Sequence, residues 1–186
     1  MNDPITVLVD CDGVMADLVT PYLERLNEKF GLDVTYDEVT SFEFSECVCT
    51  KAQNEAVWKD LVSTPGFVLG LRELPYAMEG LAHLRGWADR VVCLTSPMLG
   101  GSWIAERCQW LLNRGFAKRD IVIASDKSLV DGHALIDDAP HNLEGWSEAS
   151  GGFGVAIRAP YNRGWSGAAE DDLLMASVWL QSAFGR

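Results

Sequence analysis

The sequence predicts an α/β fold: a Rossmann-like parallel sheet with helices on both faces and a small helical cap inserted after the first strand. Three observations predict it. Five short apolar runs are continuous rather than alternating, as strands buried on both faces are. Helical patterns separate several of them, so strand and helix alternate. The stretch between the first two runs, residues 10–90, is too long for a single crossover and has helical patterns of its own.

The first strand is Ile5–Val9, and it runs directly into Asp10-Cys11-Asp12-Gly13-Val14-Met15-Ala16-Asp17. Val14–Phe30 then reads as a helix, with Leu18, Tyr22, Leu26 and Phe30 four residues apart. Thr35–Phe44 is short and rich in acids and aromatics. Lys51–Val62 is a further helix carrying Val57, Trp58 and Leu61, and Thr64-Pro65-Gly66 is a turn. Residues 18–71 are therefore assigned to a helical cap, and residues 1–17 and 72–186 to the core domain. The alternative is that these helices extend the core.

In the core, Tyr76–Trp87 places Ala77, Met78, Leu81 and Leu84 on one helical face before the strand Val91–Leu94. Ser102 is positioned to cap a helix with Trp103, Ile104, Arg107, Cys108, Trp110 and Leu111. Strands follow at Ile121–Ala124, Ala134–Ile136 and Phe153–Ile157. Residues 145–170 are rich in Gly and Trp and read as loops around the last of these. Asp171 and Asp172 open a final helix through Leu174, Val178 and Leu180, with acids at its positive end.

At 186 residues, 48% hydrophobic and 23% charged, the chain fits one globular domain with an insertion. It has no 18-residue apolar stretch, so no membrane partner is expected, and no signal-peptide pattern. The five cysteines, Cys11, Cys47, Cys49, Cys93 and Cys108, are odd in number and scattered. They read as reduced thiols in a cytoplasmic protein. Cys47-Val48-Cys49 lacks the second Cys or His pair that a zinc site needs. A net charge of −12 excludes nucleic-acid polymers as partners, since their affinity comes from Lys and Arg on phosphates. It does not exclude a small anion bound at a local cationic site. A homodimer is left open.

The chemistry lies at the strand ends. Asp10 and Asp12 end the first strand, Thr95-Ser96-Pro97 the second, Ser125-Asp126-Lys127 the third and Asp137-Asp138 the fourth. In a parallel sheet these ends share one edge, where ligands bind. Buried carboxylates need compensation, and the oxygen donors favour Mg²⁺ on Asp10, Asp138 and Asp12, the last through its backbone carbonyl. Lys127 with Thr95 and Ser96 suits the oxygens of a phosphate monoester. Asp10 is then the nucleophile and Asp12 the general acid and base. Each motif alone is unremarkable as a turn or a surface lysine; their order and placement carry the reading.

Taken together, Asp10-Cys11-Asp12-Gly13-Val14, Leu94-Thr95-Ser96, Asp126-Lys127 and Ile136-Asp137-Asp138 resemble the four-motif set of the haloacid dehalogenase superfamily. More narrowly, Val9 to Asp17, Pro65-Gly66-Phe67-Val68-Leu69 and Leu74-Pro75 resemble the 5′(3′)-deoxyribonucleotidases. The resemblance implies an aspartyl-phosphate mechanism with Mg²⁺ and dephosphorylation of nucleoside monophosphates, deoxy-pyrimidines favoured. It implies that Asp138 is a metal ligand, that Asp137 supports it, and that cap aromatics such as Phe42, Phe44 and Trp58 form part of a base pocket. The chain departs from the family at Leu18, where an aromatic is usual, and at Ser125, where Arg is frequent. Arg163, in Pro160-Tyr161-Asn162-Arg163, is either a substitute positive charge over the site or part of an exposed loop. Two other functions remain open at this level: hydrolysis of a sugar phosphate or other small phosphomonoester, and nucleotide binding without turnover.

Overall fold

The computed structural model describes residues 4–98, 100 and 102–186. Its sheet contains β1 (Thr6–Val9), β2 (Arg90–Thr95), β3 (Ile121–Ile123), β4 (Ala134–Asp137), β5 (Phe153–Ile157) and β6 (Ala168–Glu170). The order is β3-β2-β1-β4-β5-β6, every neighbouring pair parallel. The helices are α1 (Val19–Phe30), α2 (Lys51–Ser63), α3 (Ala77–Trp87), α4 (Trp103–Asn113), α5 (Pro140–Ser150) and α6 (Leu173–Ala183).

Alternation along each strand explains the two covered faces. Val7, Val9, Cys93, Ile136 and Val155 pack on one side with residues of α3, α4 and α6. Leu8, Val92, Leu94, Leu135 and Ala156 face the other side, against Leu143 and Trp146 of α5. A third apolar cluster joins α1 and α2 through Val19, Tyr22, Leu23, Leu26, Val57 and Leu61. Val68 and Leu71, at the end of the inserted segment, belong instead to the main core.

The chain leaves and re-enters the core through one narrow seam. The Asp17 amide donates to the Arg72 carbonyl (2.9 Å), and the Leu74 amide to that of Met15 (2.9 Å). Ala16 and Glu73 form an antiparallel bridge.

Four local expectations are corrected. A sixth strand, β6, lies in the Gly- and Trp-rich stretch read as loops; three residues are too few to carry a period. The first helix begins at Val19 rather than Val14, because Gly13 at φ +74° turns the chain back on itself. Tyr76 does not join α3 but stands in the left-handed region at φ 58° as its N-terminal flank. Ser102 makes no cap to the α4 backbone; its hydroxyl bonds the Glu106 carboxylate.

Candidate active site

In this strand order the crossovers change direction between β1 and β4, which opens a crevice at their carboxyl ends. Both strands end in acids there. The Asp10 amide donates to the Ile136 carbonyl (2.9 Å), which sets Asp10 beside Asp137 and Asp138. Carboxylate oxygens of these three buried residues all lie within 4.8 Å of one another.

Lys127 is buried among them. It opens a short 3₁₀ turn capped by Asp126, whose carboxylate accepts from the Ser128 amide (3.0 Å). Its Nζ stands 2.6 Å from Asp137 Oδ2 and 2.9 Å from Asp10 Oδ1. Burial works against the lysine's charge, but Asp10 and Asp137 outweigh it and hold the ammonium protonated. Asp137 is fully engaged: besides Lys127 it accepts from the Ala139 amide (2.9 Å) and the Asn142 side chain (3.2 and 3.3 Å). Its Oδ2 holds Lys127 in place.

Asp10 and Asp138 are less well compensated. Burial is the largest cause that pushes Asp10 up to about 7, with Asp137 and Asp12 adding to it against the pull of Lys127. Asp138 is raised well above the carboxylate range by burial and by Asp137 and Asp10. Asp10 Oδ1 is buried with no aligned hydrogen-bond donor, although Lys127 is its ion-pair neighbour. Three carboxylates face one ammonium, and with Asp137 spent on its own partners, the oxygens of Asp10 and Asp138, one of them orphaned, fit a hard divalent cation. Gly13 belongs to this cradle: a Cβ there would stand 2.0 Å from Asp138 Oδ2.

Asp12 stands apart from the acid cluster. Its carboxylate is ion-paired with the buried guanidinium of Arg107 on α4, so its side chain is not among the three clustered acids. Any share it takes in metal binding falls to its backbone. Thr95 is buried at the end of β2, and Ser96 follows it half-buried.

The strand ends open into one cavity of about 300 Å³, with Lys127 and Asp137 behind its wall rather than lining it. Asp10, Asp12, Thr95, Ser96 and Asp138 line it, and so do Phe42, Phe44 and Trp58. Phe44 and Trp58 stack nearly parallel, 6.1 Å between centroids and 16° between planes, and buried Tyr22 packs on both at 4.3 and 4.8 Å. Phe42 is more exposed and meets His141 and Tyr161 edge-on at 4.9 and 5.9 Å.

Arg163, unlike the other expected residues, neither lines this cavity nor touches a residue of the acid cluster. Its guanidinium lies out in solvent, 3.8 Å from Asp37. Its neighbours in the same loop do the work. The Tyr161 phenol donates to the Asp138 carboxylate, and Asn162 Nδ2 donates to the Asp138 carbonyl (2.8 Å). Of the two readings of Arg163 the exposed loop is the one observed, and the sequence passed over Tyr161 and Asn162, since charge is visible in a sequence and direction is not. It also passed over Arg107, whose one signal was a cation between Trp103 and Trp110 on an apolar helix face.

A strand-order 321456 sheet with an acid cluster at its switch point, a buried lysine and a helical insert after β1 defines a haloacid dehalogenase-type hydrolase. Solved structures agree on the fold. A haloacid dehalogenase-like protein from Agrobacterium tumefaciens superimposes with a TM-score of 0.63 at 9% identity, covering 98% of this chain and 100% of that one. A haloacid dehalogenase-like family hydrolase from Xanthomonas campestris gives 0.58 at 12% identity, covering 96% and 95%. Residues 3–177 match the family described as 5′ nucleotidase, deoxy (pyrimidine), cytosolic type C, and the chain belongs to that family of phosphoric monoester hydrolases. The human cytosolic-type 5′(3′)-deoxyribonucleotidase is 30% identical over 152 residues, 74% of this chain and 72% of that protein. No helix among the described residues is long and apolar enough to cross a membrane.

Proposed function

We propose that this chain is a Mg²⁺-dependent phosphomonoesterase acting on (deoxy)nucleoside monophosphates through an aspartyl-phosphate intermediate. One observation carries the reading: a single cavity holds both the buried carboxylate at the end of β1 and the stacked pair of the insert. The first suits the phosphate and the second a planar base. Residues 18–71 act as the cap that supplies this second wall and shields the site from water.

Asp10, Asp138 and the Asp12 carbonyl would hold Mg²⁺, which supplies neutralisation of charge on the phosphate oxygens. Lys127 and the Thr95 and Ser96 hydroxyls bind the remaining oxygens and hold phosphorus in front of Asp10. An Asp10 oxygen attacks phosphorus; the bond to the leaving oxygen breaks, and that oxygen takes the electron pair and the proton of Asp12. Asp12 then removes a proton from water, whose oxygen attacks phosphorus and breaks the bond to Asp10.

Phosphate release from a panel of nucleoside monophosphates and sugar phosphates, with Mg²⁺ and with chelator, tests this. Preferred turnover of nucleotides that needs Mg²⁺ and disappears in D10N is expected. Equal turnover of sugar phosphates would remove the substrate assignment, and tight nucleotide binding without turnover would remove the catalytic one.

A further inference from the structure

Arg107 is a buried charge that the mechanism above does not use. Its side chain has no solvent exposure. It projects from the inner face of α4 between Trp103 and Trp110, one turn away on either side, and its guanidinium carbon lies 5.1 and 5.6 Å from their ring centroids. One terminal nitrogen contacts Cys11 Sγ at 2.8 Å, the other bonds Asp12 Oδ1, and Nε has no partner. Stability gives little reason for a guanidinium here. Replacing a buried ion pair, both partners together, by apolar residues of similar volume is often neutral or stabilising, and the tryptophan-lined slot suits one on the Arg107 side. Cys11 is a poor partner, because a cysteine sulfur is only a weak acceptor.

The geometry points to Arg107 as a positioning residue for Asp12: by holding Oδ1, it fixes the orientation of a carboxyl that lines the cavity and leaves Oδ2 for proton transfer. This rests on the proposed role of Asp12 as general acid and base. The arrangement is stiff. Trp110 Nε1 donates to the Leu71 carbonyl (2.9 Å), and Glu106, beside Arg107 on α4, accepts from the amides of Gly66, Val68 and Leu69 (2.8, 3.0 and 3.3 Å). Thus α4 clamps the returning end of the insert with one residue and the proton donor with the next. An Asp12 freed from Arg107 has other rotamers open to it, and misplacement of a catalytic group by about 1 Å is enough to cost ~10²-fold in rate.

The test is a double-mutant cycle on the full chain with a nucleoside monophosphate and Mg²⁺. R107M is expected to lower kcat by about 10–100-fold with KM within about twofold, because phosphate binding does not use Asp12 Oδ1. R107K is expected to recover part of kcat, since it restores a donor but not the fork. D12N is expected to lose more than R107M, and D12N/R107M no more than D12N alone, because the arginine then has no carboxyl left to hold. An R107M enzyme that keeps wild-type kcat, losses that multiply in the double variant, or an R107K no better than R107M would overturn the assignment. If R107M does not fold, R107K and D12N/R107K complete the same cycle. D10N separates the two levels of argument: turnover surviving in D10N sinks the aspartyl-phosphate reading itself, whereas dead D10N with an unaffected R107M sinks only the arginine's role.

Discussion

Asp10→Asn in the metal-free protein is expected to destroy activity and raise stability at once. The rise of the Asp10 carboxyl from 3.8 to about 7 is a cost of ionising it inside the folded chain. At ~1.4 kcal/mol per pH unit the cost approaches roughly 4 kcal/mol, an upper bound that relaxation around the cluster reduces. Between pH 3.8 and about 7 the folded state holds a proton that the unfolded chain has released. The contribution of Asp10 to wild-type stability is therefore fullest below that window and falls as pH rises through it. Asparagine has no charge to bury, and Lys127 keeps Asp137 as its partner at 2.6 Å. The advantage of D10N should be about 1–2 kcal/mol at pH 5 and reach ~2–4 kcal/mol at pH 8, or several degrees in Tm for a chain of this length. Thermal unfolding in chelator at the two pH values reads it out. Saturating Mg²⁺ should then close the gap by stabilising wild type, by about 2.7 kcal/mol at a hundredfold excess over Kd, and D10N much less. A D10N no more stable than wild type at pH 8, or a difference equal at both pH values, would refute the reasoning.

Other outcomes follow from the same geometry. D12N should retain folding and lose about 10²–10⁴ in kcat, read by phosphate release, as removal of a general acid does. Lys127→Met leaves Asp10 and Asp137 facing each other uncompensated and should lower Tm more at pH 8 than at pH 5, with activity lost. Gly13→Ala drives a Cβ to 2.0 Å from Asp138 Oδ2 at φ +74° and should weaken Mg²⁺ binding measured by calorimetry as well as turnover. Trp58→Ala opens one side of the stacked pair and should raise KM for nucleotides, while KM for 4-nitrophenyl phosphate, which lacks a base, stays within about twofold.

The sequence by itself determined the sheet's first five strands, most helices, the long stretch between β1 and β2, and which acids and which lysine stand at the strand ends. Those features are written in periodicity and in the residue that follows each apolar run. A parallel sheet brings all its strand ends to one edge, so local patterns became a shared site without knowledge of strand order. Only the tertiary structure decided what depends on direction and on remote neighbours. It turned the Asp12 carboxylate to Arg107, residues away on α4, rather than to the other acids. It sent Arg163 toward Asp37 and brought Tyr161 to Asp138 from the same loop. It joined β6 to β5 through three residues too few to show a pattern. Periodicity reports which face of its own element a side chain occupies; the partner across that face is set by how elements pack, and burial then decides whether a charge keeps its ordinary behaviour.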